Sequence, residues 1–255
     1  MRGIIVAAVA LLGCAGTDSG PEIIGDECSD GACDIDVGRT ESYCTAVVQG
    51  QGLLDVEFEY LPQVIACENY DGPPEALRAQ AIAARSYLYY KLAKTGGIGD
   101  GQHHQVFSCG GKVAQQRHRD AVSGTSGQFL KYQDATVAGF YVAGAYQRGP
   151  TCQGGTYDPL DSEKHVTYNE GKRDDEIEQS SLGWRKKGYP VNRGAMSQNG
   201  ANCLGEQGYL AEEILRFYYG MDIEISQSTG PCSTGVIPWA GDIGEACFSG
   251  KLKAA

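Results

Sequence analysis

Apolar and polar positions along the chain fall into two rhythms, one helical and one extended. Between Asp55 and Asn69 the apolar residues Phe58, Leu61, Val64 and Ile65 recur at helical spacing, and Asp71-Gly72-Pro73-Pro74 interrupts the run. Pro74 suits the first residue of a second helix, where the missing N–H has no intrahelical partner to lose, and Gly96-Gly97 suits its stop. Within that helix Leu77, Ala81, Ala84, Leu88 and Leu92 form one apolar stripe, with Arg78, Ile82, Arg85 and Tyr89 on a neighbouring one. A loop is expected from Gly96 to Gly111. The rhythm then becomes extended: Phe129 to Tyr132 and Thr136 to Val142 predict two strands of a hairpin turning at Gln133-Asp134. Residues 149–183 are polar and irregular, with acidic residues gathered at Asp174, Asp175, Glu176 and Glu178. Tyr209 to Tyr219 predicts a short helix stopped by Gly220, and Met221 to Ile225 a following strand. The expected fold class is α+β.

The two ends differ from this middle. Met1-Arg2 supplies a positive charge, Ile4 to Leu12 is apolar, and Gly13-Cys14 closes the run. The run is too short to span a bilayer and has the zones of a signal peptide. Leu11-Leu12-Gly13-Cys14 reads as a lipobox in which Cys14 is lipidated; an ordinary secretory signal with a chance cysteine is the alternative. The expected organisation is a signal peptide over 1–14, a linker and cysteine-containing extension over 15–52, a folded domain over 53–225, and a Gly/Ser-rich tail over 226–255. The expected location is the cell envelope, as an exported lipoprotein with a lipid anchor.

Composition refines this picture. Apolar residues make up 42% and charged residues 21%, proportions of a globular chain. The net charge of −11 offers no basic stripe that would release counterions from nucleic acid, so no nucleic-acid partner is expected. Of ten cysteines, nine remain after Cys14, none in a C-x-x-C pair. In an oxidising compartment most should be disulfides, with at least one left over; connectivity cannot be read from sequence, and Cys232 with Cys247 is one candidate staple in the tail.

Three stretches carry a resemblance. The first runs Glu59-Tyr60-Leu61-Pro62-Gln63-Val64-Ile65-Ala66-Cys67-Glu68 and continues through Pro74-Glu75-Ala76-Leu77-Arg78-Ala79-Gln80-Ala81-Ile82-Ala83-Ala84-Arg85-Ser86-Tyr87. The second is His103-His104-Gln105-Val106-Phe107, and the third Gly194-Ala195-Met196-Ser197-Gln198-Asn199-Gly200-Ala201 with Gly208-Tyr209 and Glu212-Glu213-Ile214-Leu215. In this order they resemble the SpoIID/LytB family, the stage II sporulation protein D and amidase-enhancer relatives, over roughly residues 53–225. Relatives carry a G-H-G-V-G segment where this chain has Val191-Asn192-Arg193-Gly194-Ala195. The resemblance implies a single SpoIID-like α+β domain with disulfide-pinned extensions. It also implies lytic transglycosylase activity on the MurNAc–GlcNAc bonds of peptidoglycan glycan strands.

Glu68 is the residue on which that chemistry would turn. Cleaving a glycosidic bond requires a proton on the leaving oxygen, and a carboxyl on an apolar helix face keeps its proton to higher pH. On periodicity alone a solvated glutamate, or one paired with Arg78 or Arg85, is the simpler reading; the resemblance reverses that order. It implies that Glu68 acts as general acid and then base while the muramyl 6-hydroxyl closes an anhydro ring, so a second carboxylate is not required. Arg78, Gln80, Arg85, Tyr87, His103, Gln105, Ser197 and Gln198 are the expected substrate-binding residues. Buried packing is equally open for Gln80 and Tyr87, and backbone capping for Ser197 and Gln198. Some relatives hold zinc near this histidine, but Cys109 is the one thiolate candidate close by, so no cofactor and no metal are expected. Cys67 is expected to be buried or disulfide-bonded, and His118 and His165 to have surface roles. A non-catalytic glycan-binding amidase enhancer, partnered with a cell-wall amidase, is the alternative function.

Overall fold

The structure is a computed structural model that describes residues 41–146, 149–230 and 232. The predicted signal peptide, lipobox Cys14, Cys28, Cys33 and Cys247 lie outside the described residues. The fold is α+β, as the two rhythms predict. Two short strands, β1 (Thr45–Val48) and β2 (Gly52–Asp55), form an antiparallel hairpin. The chain then enters a π-helical turn over Val56–Tyr60 and continues into α1 (Leu61–Glu68). After Pro73 comes the 22-residue α2 (Pro74–Thr95), closed by Gly96 in the left-handed conformation at φ 72°, where a side chain would be strained. Then follow α3 (Gln116–Ser123), β3 (Gln128–Tyr132), β4 (Ala135–Thr136) and β5 (Phe140–Val142). The last elements are β6 (Ala195–Ser197), α4 (Gln198–Glu206), α5 (Ala211–Tyr219) and β7 (Glu224–Gln227).

The helix α2 is the spine. Leu77, Ala81, Ala84, Leu88 and Leu92, the stripe read from sequence, pack into a core with Tyr60, Leu61, Val64 and Ile65 of the π-turn and α1. The opposite side of α2, through Ala76, Ala79, Ile82 and Ala83, packs into a second core with Leu204, Ile214, Leu215, Tyr218 and Tyr219 of α4 and α5. Alanines let both layers approach closely. A Cβ placed on Gly139 would lie 2.4 Å from the Ala83 carbonyl oxygen, so only glycine fits where the chain crosses the helix.

Three expectations change. Regular structure begins at Thr45, ahead of Leu53, and buries Ala46 and Val48. The π-turn has a longer repeat than an α-helix, which shifts the phase of the apolar pattern: Val56 and Tyr60 turn inward while Phe58 is 41% exposed. The stretch Thr136 to Val142 is not one strand. Its start pairs with β3 in the antiparallel sheet β4-β3-β7, and after Gly139 it leaves to pair in parallel with β6, Tyr141 opposite Met196.

Covalent and ionic ties hold the layers. Disulfides join Cys44 to Cys232, Cys67 to Cys109 and Cys152 to Cys203. The candidate Cys232–Cys247 staple is thereby corrected, because Cys232 closes on Cys44, just ahead of β1. Arg85 is wholly buried; it donates to both oxygens of Glu57 at 2.6 Å and to the carbonyls of Gln128 and Val122. A buried guanidinium tolerates such a place only because every side of its fork meets an acceptor.

Candidate active site

Glu68 is the last residue of α1, and two distant stretches reach it. The Val106 N–H, from the loop after α2, donates to Glu68 Oε1 at 2.8 Å. The Gln198 side-chain amide, from the first residue of α4, donates to Oε2 at 3.3 Å. The end of α1 is locked to α4 by a reciprocal amide pair, Asn69 with Asn202, at 2.9 Å in each direction. The Glu68 side chain is partly buried. Burial pushes its carboxyl above the ordinary value, opposed by the two hydrogen bonds and by attraction to Lys112.

A buried polar layer lies beside the carboxyl. Gln105 accepts from the Tyr60 hydroxyl at 2.9 Å and donates to the Ala84 carbonyl and the Tyr141 hydroxyl, both at 3.0 Å. Its amide is therefore committed to joining the π-turn, α2 and β5. Burial pushes the Tyr60 and Tyr141 hydroxyls well above their ordinary values, and the Glu68 charge adds to both shifts, so both stay protonated. Sequence reasoning missed these tyrosines and the Val106 N–H. Tyr141 lay in a predicted strand with no chemical motif, and a backbone donor leaves no residue-type signal at all.

The other predicted residues separate into near and far. Gln198 reaches Glu68. Ser197, wholly buried, caps α4 by accepting from the Gly200 N–H at 3.0 Å and bonds the Ala143 carbonyl, so it is a positioning residue and not a cleft wall. Tyr87 is buried against Phe140, with ring centroids 5.8 Å apart. Gln80 is wholly buried, and neither end of its amide has a hydrogen-bond partner. Arg85 is spent on Glu57 and cannot hold a ligand's carboxylate. Arg78 is exposed, pairs with Glu75 at 2.6 Å, and lines a cavity of about 810 Å³ with Arg216 and Glu224, which none of the residues bonded to Glu68 lines. His103 is exposed on the loop before Gln105.

Two histidine and cysteine expectations are also resolved. His118 has no surface role: it is wholly buried, its Nδ1 accepts from the Gln115 N–H, and its Nε2 meets the Tyr70 carbonyl at 2.9 Å. Burial holds its pKa down, so the ring is the neutral tautomer that caps α3. Cys109 is bonded to Cys67, so this cysteine offers no thiolate for zinc beside His103. Among the described residues no group of three or more His, Cys, Asp or Glu is placed to hold a metal ion.

Residues 52–132 match the family model SpoIID, described as Stage II sporulation protein. Over those residues, about a third of the chain, the sequence is similar to that family. That similarity points to a function related to sporulation and the cell wall. The matched SpoIID span contains Glu68, Gln105 and Val106 together with α1, α2 and the π-turn, while Tyr141 and Gln198 come from beyond it. No curated protein matches this chain. Among the described residues, no helix is long and apolar enough to cross a membrane.

Proposed function

We propose that this protein is a peptidoglycan lytic transglycosylase, cleaving MurNAc–GlcNAc bonds with Glu68 as general acid and base. The observation that carries the reading is the convergence on one carboxyl. Donors 38 and 130 residues away in sequence fix its two oxygens, and both belong to the stretches that resemble the family. Burial keeps the proton on Glu68 at a pH where an exposed carboxyl would have lost it, which suits it to protonate the glycosidic oxygen. Once ionised, the carboxylate is held by the Val106 and Gln198 donors in the orientation needed to take the proton from the muramyl 6-hydroxyl. That hydroxyl then attacks its own anomeric carbon. Asp71, the acid nearest along the chain, faces solvent beside Arg117, which favours a mechanism with one carboxyl over a hydrolase with two. The lipoprotein signal and envelope location belong to the same proposal, since a wall-cleaving enzyme must meet its substrate outside the cytoplasm.

The test is digestion of purified glycan strands, intact and peptide-stripped, by wild type and Glu68→Gln, with mass spectrometry of the products. Anhydro-ended fragments from wild type alone are expected. Reducing ends would replace the transglycosylase by a hydrolase, and strand binding without products in either protein would favour the amidase-enhancer reading.

A further inference from the structure

A pair of tyrosines in the segment that follows β5 stands outside both cores. Tyr146 and Tyr157 are 49% and 57% exposed, whereas Tyr60, Tyr87, Tyr89, Tyr218 and Tyr219 are buried. Their rings stack on each other with centroids 5.5 Å apart and planes inclined by 27°. Stacking covers part of each ring, and about half of each residue stays exposed.

The pair is held in place by a framework that ends at Glu68. The Tyr146 N–H donates to the Tyr157 carbonyl at 2.9 Å in an antiparallel bridge. A Cβ on Gly155 would stand 2.3 Å from the Tyr146 carbonyl oxygen, so the two arms of the segment touch through glycine. The Ala145 N–H donates to the Glu163 carboxylate, and the Gly144 N–H to Ser162 Oγ. Cys152 is bonded to Cys203 of α4. On the site side, Asn199 donates its backbone N–H to the Ala143 carbonyl and its side-chain amide to the Gly144 carbonyl, each at 3.0 Å. Asn199 follows Gln198, whose amide bonds Glu68. Only Gly144 and Ala145 separate Ala143 from Tyr146, three steps of chain with a reach of at most about 11 Å.

We infer that Tyr146 and Tyr157 form an aromatic subsite that stacks a sugar ring of the glycan strand whose scissile bond lies at Glu68. An aromatic face packs well against the apolar C–H face of a pyranose, and a rigid pair loses little entropy on binding. Gln153 and Thr156, exposed in the same segment, supply groups for sugar hydroxyls. The occupant is a glycan because the platform is tied to Gln198 through Asn199 and offers exposed aromatic rings with the polar side chains of Gln153 and Thr156 in the same segment. The inference rests on reading the surroundings of Glu68 as a glycan site, and binding tests it separately from cleavage.

The experiment uses the full chain in a Glu68→Gln background, so that no turnover intervenes. Binding is measured to insoluble glycan strands by co-sedimentation and to an N-acetylglucosamine oligomer by calorimetry. Tyr146→Ala and Tyr157→Ala are expected to weaken binding by roughly three- to ten-fold each. Tyr146→Phe and Tyr157→Phe, which keep the ring, should bind as the parent does. Unchanged melting temperatures will separate this from misfolding. A double alanine variant that binds both probes like its parent overturns the inference, even if wild type cleaves strands. Ring-dependent binding by a protein whose wild type makes no anhydro products sustains the subsite and sinks the cleavage reading alone. Ring-dependent capture of a purified amidase with glycan binding unchanged overturns the subsite.

Discussion

Burial costs Glu68 its charge, and that cost has a sign that can be measured. Because the folded-state pKa is raised, the folded protein keeps a proton that the unfolded chain releases. The group's contribution to stability is complete below the ordinary carboxylate range and is lost as pH rises through the raised value. Glu68→Gln should therefore be more stable than wild type near pH 8, with the gap closing towards about pH 4 in urea titrations. On the proposed reading of Glu68 as the acid, strand cleavage should fall as pH rises through the same window. Arg85 carries the opposite lesson. Its family-like stretch suggested a ligand contact, but the pairing with Glu57 could not be read from sequence, because Glu57 lies in a π-turn whose phase the helical pattern hides. Arg85→Met should cost about 3–5 kcal/mol by leaving the Glu57 carboxylate unpaired, and Glu57→Leu added to it should restore part of that in denaturant unfolding.

Among elements, α2 was the most legible. Proline at its start, glycine at its end and one complete apolar stripe were all present in the sequence, and all five stripe residues enter the first core. Its second buried side was hidden, since alanines give little contrast between an exposed and a packed face. The strand that splits was hidden for a similar reason: its continuous apolar run does not say where it changes sheet, and Gly139 alone marks the crossing. Gly139→Ala should destabilise by at least about 1–3 kcal/mol, because the clash is with the Ala83 backbone and cannot be relieved by a rotamer; a thermal melt within error of wild type would refute the close approach. The loop after α2 is tied down by Cys67–Cys109, spanning 42 residues, one residue from Glu68. Replacing both cysteines by serine should cost about 2–4 kcal/mol and speed amide exchange at Val106 before exchange in α2.

For the whole molecule, the α+β class was readable and the assembly of the site was only partly so. The resemblance brought Glu68 and Gln198 forward by motif, but nothing in the pattern of residues says that Asn69 and Asn202 clasp or that Tyr141 approaches from a parallel pair. Such contacts are long-range and depend on packing two cores against one helix. The 130-residue separation of Glu68 and Gln198 also has a meaning in time. A chain made from its N-terminus carries its acid early, within α1, yet the partner that holds the second oxygen arrives only with α4. Domains fold as units when their contacts are complete. The nascent chain is thus born with an unaimed acid, and the act of finishing the protein is what arms it.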